Sequence, residues 1–310
     1  WIVNSSGGVP LPIVGAGKNT CRWRYTFLGF IAVLLLAFPA GGVCAQARVV
    51  EEHQFSDPEG RLLAFYSAAM SFTPAGIAPD AARFSLALEV SYVPYLNGAQ
   101  RRPSIDKPES TNLAPFFPRP RASVRLGSWS LEGSWIPPMK VFDVKANLVS
   151  AAIIAPGIRA GAVHIDPRVW GTIGSVKGSM TCSASEMVGH GTDLELYYNT
   201  ICHGRESDDW FEPRTIGGEV VVSEDVGTSF RPYAMFGARY DKTRFDIGVL
   251  NVDGSRDSDH PILQLDSFRP HAAVGLAWRA SRNVAGGGEL FYAPGSVLTM
   301  RISGRWIVRQ

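Results

Sequence analysis

Beyond residue 83 the chain alternates apolar and polar residues with a period of two. Phe84, Leu86, Leu88, Val90 and Tyr92 fall on one face, with Ser85, Ala87, Glu89 and Ser91 on the other. The pattern is cleanest near the end, where Leu298, Met300, Ile302, Gly304, Trp306 and Val308 alternate with Thr299, Arg301, Ser303 and Arg305. Trp129, Leu131, Gly133 and Trp135, Ala234 to Tyr240, and Ala272 to Trp278 repeat it. No sustained 3.6-residue apolar period competes in this region, so the pattern predicts half-buried β-strands rather than amphipathic helices. The expected strands cover 83–93, 121–126, 129–136, 141–154, 158–176, 215–223, 230–252, 262–279, 284–292 and 297–308. That is about ten, an even number as single-chain bacterial barrels require.

The links between these strands alternate in length. Short ones at 127–128, 155–157, 225–229 and 281–283 interleave with 94–120, 137–140, 177–214, 253–261 and 293–296. Three of the second set are long (94–120, 177–214 and 253–261). Short turns at one end and long loops at the other are the mark of an outer-membrane barrel, with the long loops outside.

The start of the chain is different. Phe27 to Ala40 is almost wholly apolar, Arg22 and Arg24 precede it, and Val43-Cys44-Ala45-Gln46-Ala47 supplies small residues for cleavage. A basic region, an apolar core and an A-x-A-like site read as a secretory signal peptide. A membrane anchor fits less well, because the run is shorter than the ~20 residues a spanning helix needs and Pro39 with Gly41-Gly42 ends it. A lipoprotein site at Cys44 fits less well too, since bulky Val43 precedes it. The expected organisation is an extension and signal peptide over 1–47, a lead-in segment over 48–82 and a barrel domain over 83–310. Cleavage would leave Cys182 and Cys202, an even pair in an exported chain, and hence one expected disulfide.

Composition agrees without deciding. The 310 residues carry 32 Gly and 21 Pro, a formal net charge of +2 and 45% hydrophobic residues. The small net charge and the lack of a Lys/Arg run argue against a nucleic-acid partner. A soluble β-sandwich would also alternate. Two features favour the barrel. Aromatics sit on the apolar face near strand ends (Tyr92, Trp135, Tyr240, Trp278, Tyr292, Trp306), as interfacial girdles do. The opposite face carries charge inside strands: Glu89, Arg125, Glu132, Glu219, Arg239, Arg279, Glu289, Arg301 and Arg305. In a barrel these line a narrow lumen, where opposite charges must pair or stay hydrated.

With stretches such as Ser123-Val124-Arg125-Leu126-Gly127 and Gly174-Ser175-Val176-Lys177-Gly178, the region from Arg83 onward resembles bacterial outer-membrane β-barrel proteins of the small, porin-like class. The resemblance implies an all-β antiparallel transmembrane barrel in the outer membrane, with membrane lipid and the assembly machinery as partners. Periplasmic or secreted placement is the alternative. Barrels of this class often end on an aromatic residue, whereas here Ile307-Val308-Arg309-Gln310 follows Trp306.

Candidate chemistry concentrates in 177–214, which holds Cys182, Cys202, His190, His203, Glu186, Asp193, Glu195, Glu206, Asp208, Asp209 and Glu212. A loop this long is usually functional or disordered. The expected reading is a disulfide-stapled surface loop. A metal site from Cys182, His190, Cys202 and His203 would need thiolates and a ligand spacing that no motif here shows. A surface hydrolase could pair His190 or His203 with Asp208 or Asp209, but nothing in the spacing requires it. Residues 253–259 (DGSRDSD) resemble a calcium loop only loosely and read as a polar tip. Gly286-Gly287-Gly288 reads as a bend or a close backbone approach. No catalytic residue, metal or cofactor is expected. The expected role is structural or surface-interacting, with an unidentified ligand outside. A small pore for polar solutes is the alternative.

Overall fold

The computed structural model describes residues 48–76, 83–97, 100, 115–141, 144–182, 202–257 and 260–308. Its elements are β1 (Val50–His53), α1 (Pro58–Ala69), β2 (Phe84–Tyr92), β3 (Phe116–Leu126), β4 (Trp129–Val141), β5 (Val144–Ile154), β6 (Ile158–Ala160), β7 (Val163–Gly178), β8 (Asp209–Glu212), β9 (Arg214–Glu224), β10 (Phe230–Asp246), β11 (Ile262–Arg279), β12 (Val284–Ala293) and β13 (Val297–Val308). The signal-peptide region, 1–47, lies outside the described residues.

Ten strands form a closed antiparallel barrel in the order β2-β3-β4-β5-β7-β9-β10-β11-β12-β13. Closure comes from β13 against β2, where Val308 faces Phe84 and Arg301 faces Ser91. Every wall strand pairs along part of its length with the strand on either side, so the ring closes. The parity read from the sequence holds. Leu86, Leu88, Leu298, Met300 and Ile302 are exposed on the outside, while Ser85, Glu89, Thr299 and Arg301 are buried within.

The outer face is apolar between two aromatic levels. Phe84, Trp129, Phe230, Trp278 and Trp306 ring the end with the short turns. Phe116, Tyr240, Phe268 and Tyr292 ring the other. Along β12, Val284 to Tyr292 runs about 26 Å at ~3.3 Å per residue, which at the ~40° tilt of such strands covers about 20 Å of height, most of the ~25 Å apolar band of an outer-membrane barrel. No described helix is long and apolar enough to cross a membrane. The crossing is made by strands.

Several boundaries differ from expectation. Residues 116–120, expected in a loop, belong to β3 even though Pro118 and Pro120 are among them. Residues 137–140, expected as a connection, continue β4 through a register shift between Ile136 and Met139. The expected strand over 158–176 is divided, because β6 turns back on β7 through Gly161 at φ +62°. The expected strand over 230–252 stops at Asp246, and the loop expected over 177–214 is cut back by β8 and the early start of β9.

The largest addition is α1, with the segment after it. β1 pairs in parallel with the first residues of β11, Val50 against Ile262 and His53 against Leu265, at the long-loop end. Arg48 is tied there to the Asp246 carboxylate and to the carbonyls of Ile247 and His260. Asp57 precedes Pro58 at the helix start, and Glu59 sits in the first turn, where an acid suits the helix dipole. Gly60 lets the helix start pack on its own approach, since a Cβ there would lie 2.0 Å from the Gln54 carbonyl oxygen. The helix then runs inside the barrel. Leu63, Ala64, Phe65, Ala68 and Ala69 are all buried. A helix apolar on nearly all sides has no polar face to give it a period, which is why no 3.6-residue signal marked it.

Candidate functional site: the plugged lumen

Residues 70–76 leave α1 without regular structure, with Ala75 and Gly76 at positive φ, so their main-chain groups need partners inside the barrel. The wall supplies them, mostly as guanidinium groups. Arg119 donates to the carbonyls of Met70 and Ser71 at 2.7 and 3.0 Å. Arg301 donates to Ser71 O at 2.9 Å, and reaches Ala68 O and Ala69 O at 3.5 Å. Arg168 donates to Phe72 O at 2.8 Å, Arg121 to Thr73 O at 2.8 Å and Arg305 to Gly76 O at 3.1 Å. Ser303 donates its hydroxyl to Ala75 O. The last carbonyls of α1 thus meet positive charge, the favourable sign at a helix C-terminus.

The acids hold both the arginines and the plug. Glu289 accepts from the Thr73 hydroxyl, from Ala75 N at 3.0 Å and from the Tyr233 hydroxyl at 2.8 Å. Tyr233 in turn accepts from Gly76 N at 3.0 Å. Glu89 pairs with Arg121, and Glu132 lies 3.0 Å from Arg121 and 3.2 Å from Arg168. Glu219 takes Arg168, Trp170 Nε1 at 2.8 Å and His271 Nε2 at 3.0 Å. Phe72 is enclosed by cations, with Arg121, Arg168 and Arg119 at 4.2, 5.2 and 5.5 Å from its ring centre. Charges this deep are tolerable only when mutually paired and hydrogen-bonded.

Of the lumen charges expected from sequence, Glu89, Glu132, Glu219, Glu289, Arg301 and Arg305 meet in this network. Arg239 is buried but stands apart, donating Nε to Asp241 at 2.8 Å. Arg125 and Arg279 share the inward parity but sit half-buried near the short-turn end. Arg119, Arg121, Arg168, Tyr233 and His271 were not singled out from sequence. Arg119 and Arg121 carry the same parity as Ser123 and Arg125, and the prolines between them hid it. Gly287, inside the glycine run, is the close approach that run suggested. A Cβ there would lie 2.6 Å from Gly76 Cα.

Above the membrane level, Cys182 and Cys202 form the expected disulfide, buried against Val249. Asp209 braces the base of that loop, accepting from Gly248 N, Thr181 N and the Ser207 hydroxyl. Burial outweighs those donors and raises its carboxyl above the ordinary aspartate value. His203 is exposed at φ +49°, and no hydrogen bond or ion pair joins it to Asp208 or Asp209 among the described residues. His190 and residues 183–201 lie outside them. Among the described residues no cluster of His, Cys, Asp and Glu could hold a metal ion. Asp253 accepts from the amide and hydroxyl of Ser255, so residues 253–255 form a tight polar turn, while 258–259 of the expected tip lie outside the described residues.

No protein-family model and no curated protein sequence matches the chain. Similar solved structures include NanC porin, 10% identical over 72% of this chain and 100% of that one, with a TM-score of 0.33. KdgM porin is 9% identical over 73% and 99%, with a TM-score of 0.31. The toluene transporter TodX of P. putida is 12% identical over 75% and 68%, with a TM-score of 0.29. At that distance the neighbours carry no argument about this lumen. The closed ladder and the apolar belt decide the class. The chain is a ten-stranded transmembrane β-barrel. In this barrel the long connections gather at one end and the short turns at the other, and the axial path is filled by its own residues 58–76.

Proposed function

We propose that the protein is a non-conducting, non-catalytic barrel that presents its outer loops while its own N-terminal segment keeps the axial path shut. The observation that supports this most directly is the set of arginine contacts to the carbonyls of residues 70–73 and 76. A segment tied down by its main chain is held whatever its side chains do. The pore alternative requires that whole segment to leave. The hydrolase alternative loses Asp209, whose carboxylate is spent on three loop donors. The disulfide and Asp209 together stiffen the base of the longest outer loop, which suits a surface that contacts something outside.

Conductance in planar lipid bilayers tests this. The reconstituted protein is expected to give no steady current steps. A stable open level in the unmodified protein would overturn the reading.

A further inference from the structure

The barrel wall is not laddered to its full height. β3 and β4 pair from Leu126 against Trp129 up to Arg121 against Ser134, and there the ladder stops. Both strands go on. β3 continues back to Phe116 against β2, and β4 continues to Val141 against β5. Phe116 to Pro120 therefore has no partner on the β4 side, over about 13 Å at ~3.3 Å per residue.

The sequence explains the break. Arg125 N donates to Arg83 O and Val93 N to Pro115 O, so the odd-numbered main-chain groups of β3 face β2. The even-numbered groups must then face β4. In the gap those positions are Phe116, Pro118 and Pro120. Carried upward, the register would set Pro120 against Trp135 and Pro118 against Pro137. Three of these four residues have no N–H to give. The prolines stop the ladder and remove three donors from a gap that faces hydrocarbon, while the Phe116 and Trp135 N–H groups and the carbonyls on both sides stay without a ladder partner there.

The gap is the mouth of a cavity of about 260 Å³. Leu88, Phe116 and Met139 line it from the exposed outer face, and Phe117, Ile136 and Ala146 from the buried inner face. Lined from both faces, the cavity lies within the thickness of the wall. Phe117 and Ala146 also border a second apolar cavity inside the barrel, of about 50 Å³ and so with room for only the tip of a chain, whose other side is Tyr66 and Met70 at the end of α1. The mouth is continuous with the lipid-facing belt, at the level of its outer aromatic ring. Lys140 and Lys145 lie opposite one another just above it, both exposed.

We infer that the β3–β4 gap is a lateral doorway, through which one acyl chain of an anionic lipid in the surrounding outer leaflet enters the apolar chamber above the plug while its phosphate stays beside Lys140 and Lys145. The inference rests on the membrane-barrel assignment and is separate from the non-conducting role. The cavity is small beside the ~300–1,000 Å³ of ordinary ligand pockets, which suits a chain and not a whole lipid. Its lining is apolar, so the headgroup has no reason to follow.

The test is photolabelling in phosphatidylethanolamine vesicles containing phosphatidylglycerol with a diazirine at the end of one acyl chain, read by peptide mapping. Label is expected on Tyr66, Met70 and Phe117 as well as on outward-facing Leu298 and Met300. Two variants narrow the doorway: Ala146→Phe fills it, and Pro118→Thr with Pro120→Thr and Pro137→Thr restores the missing donors. Each should cut label on Tyr66 and Met70 several-fold and leave Leu298 and Met300 unchanged. Label confined to the outer face, or inner label undiminished in both variants, overturns the doorway. Inner label from a diazirine fatty acid but not from the phospholipid overturns the lipid as its source. Loss of label at Leu298 and Met300 would instead overturn the membrane barrel itself.

Discussion

Arg168→Ala is the sharpest probe of the plug. One guanidinium there serves three acceptors: Phe72 O at 2.8 Å, Glu132 at 3.2 Å and Glu219. Removing one member of a buried charge pair costs about 3–5 kcal/mol. The low end applies, because Glu219 keeps Trp170 and His271, and Glu132 keeps Arg121. Much of that cost falls on the wall and not on the plug. The plug's own share is the stranded Phe72 carbonyl, a buried acceptor worth about 1–3 kcal/mol. Plug release should therefore become about 5–150-fold more frequent. Trypsin cleavage at Arg61 within α1 reads that population directly when opening is fast relative to cutting. The variant should be cut faster by that factor, and planar bilayers should show brief openings that the unmodified protein lacks. Arg168→Lys keeps the charge but loses the two-armed geometry, so it should fall between. Gel mobility with and without boiling checks that the barrel survives. An intact barrel with Arg61 as protected as before would refute the idea that these guanidinium–carbonyl bonds hold the plug.

Other consequences are simpler. Gly287→Val should push the lower end of the plug away from the wall, by overpacking worth about 1–3 kcal/mol, and speed cleavage at Arg61 without changing heat-modifiable mobility. Cys182→Ser with Cys202→Ser removes a bridge of sequence separation 20. That should cost about 3 kcal/mol in the chain-entropy model, seen as faster proteolysis of the outer loop with no conductance gained. In the short turn after β9, burial tends to raise the Asp225 carboxyl, but the hydrogen bond and charge of Arg231, with His164, outweigh it and hold it below the ordinary value of 3.8. A lowered acid contributes stability that is full above the unfolded value and lost as pH falls through the folded one. The protection of the Val226 and Phe230 amides, taken relative to their intrinsic exchange rate at each pH, should therefore fall on acidification below about pH 4, and Arg231→Gln should weaken that dependence, leaving the His164 share.

The wall was legible in the sequence and the plug was not, for one physical reason. A strand with lipid on one side and polar lumen on the other must alternate, so Leu298 to Val308 announces its faces residue by residue. α1 meets protein on nearly every side, and Leu62-Leu63-Ala64-Phe65-Tyr66 shows no contrast to read. The lumen charges obey the same logic. Glu89, Glu132 and Arg301 stand within clean alternation. Arg119 and Arg121 are set between prolines, which as a rule argue against a strand. That rule assumes both edges of a strand are laddered, and β3 has only one laddered edge at that height.

The plug and the unladdered gap divide the interior between them. Below Met70 the lumen is a lattice of arginine and carboxylate closed around main-chain carbonyls, and apolar matter has no favourable place there. Above it, Leu63, Leu148, Val176, Phe211 and Leu265 form an apolar cluster against the same helix. An apolar chamber facing only water at its outer end would carry an uncompensated hydrophobic cost. A chamber open to the bilayer through the wall does not, because hydrocarbon can fill it. Prolines at 118, 120 and 137 would weaken a barrel whose only need was closure. They make physical sense in a barrel shut along its axis and open at its side.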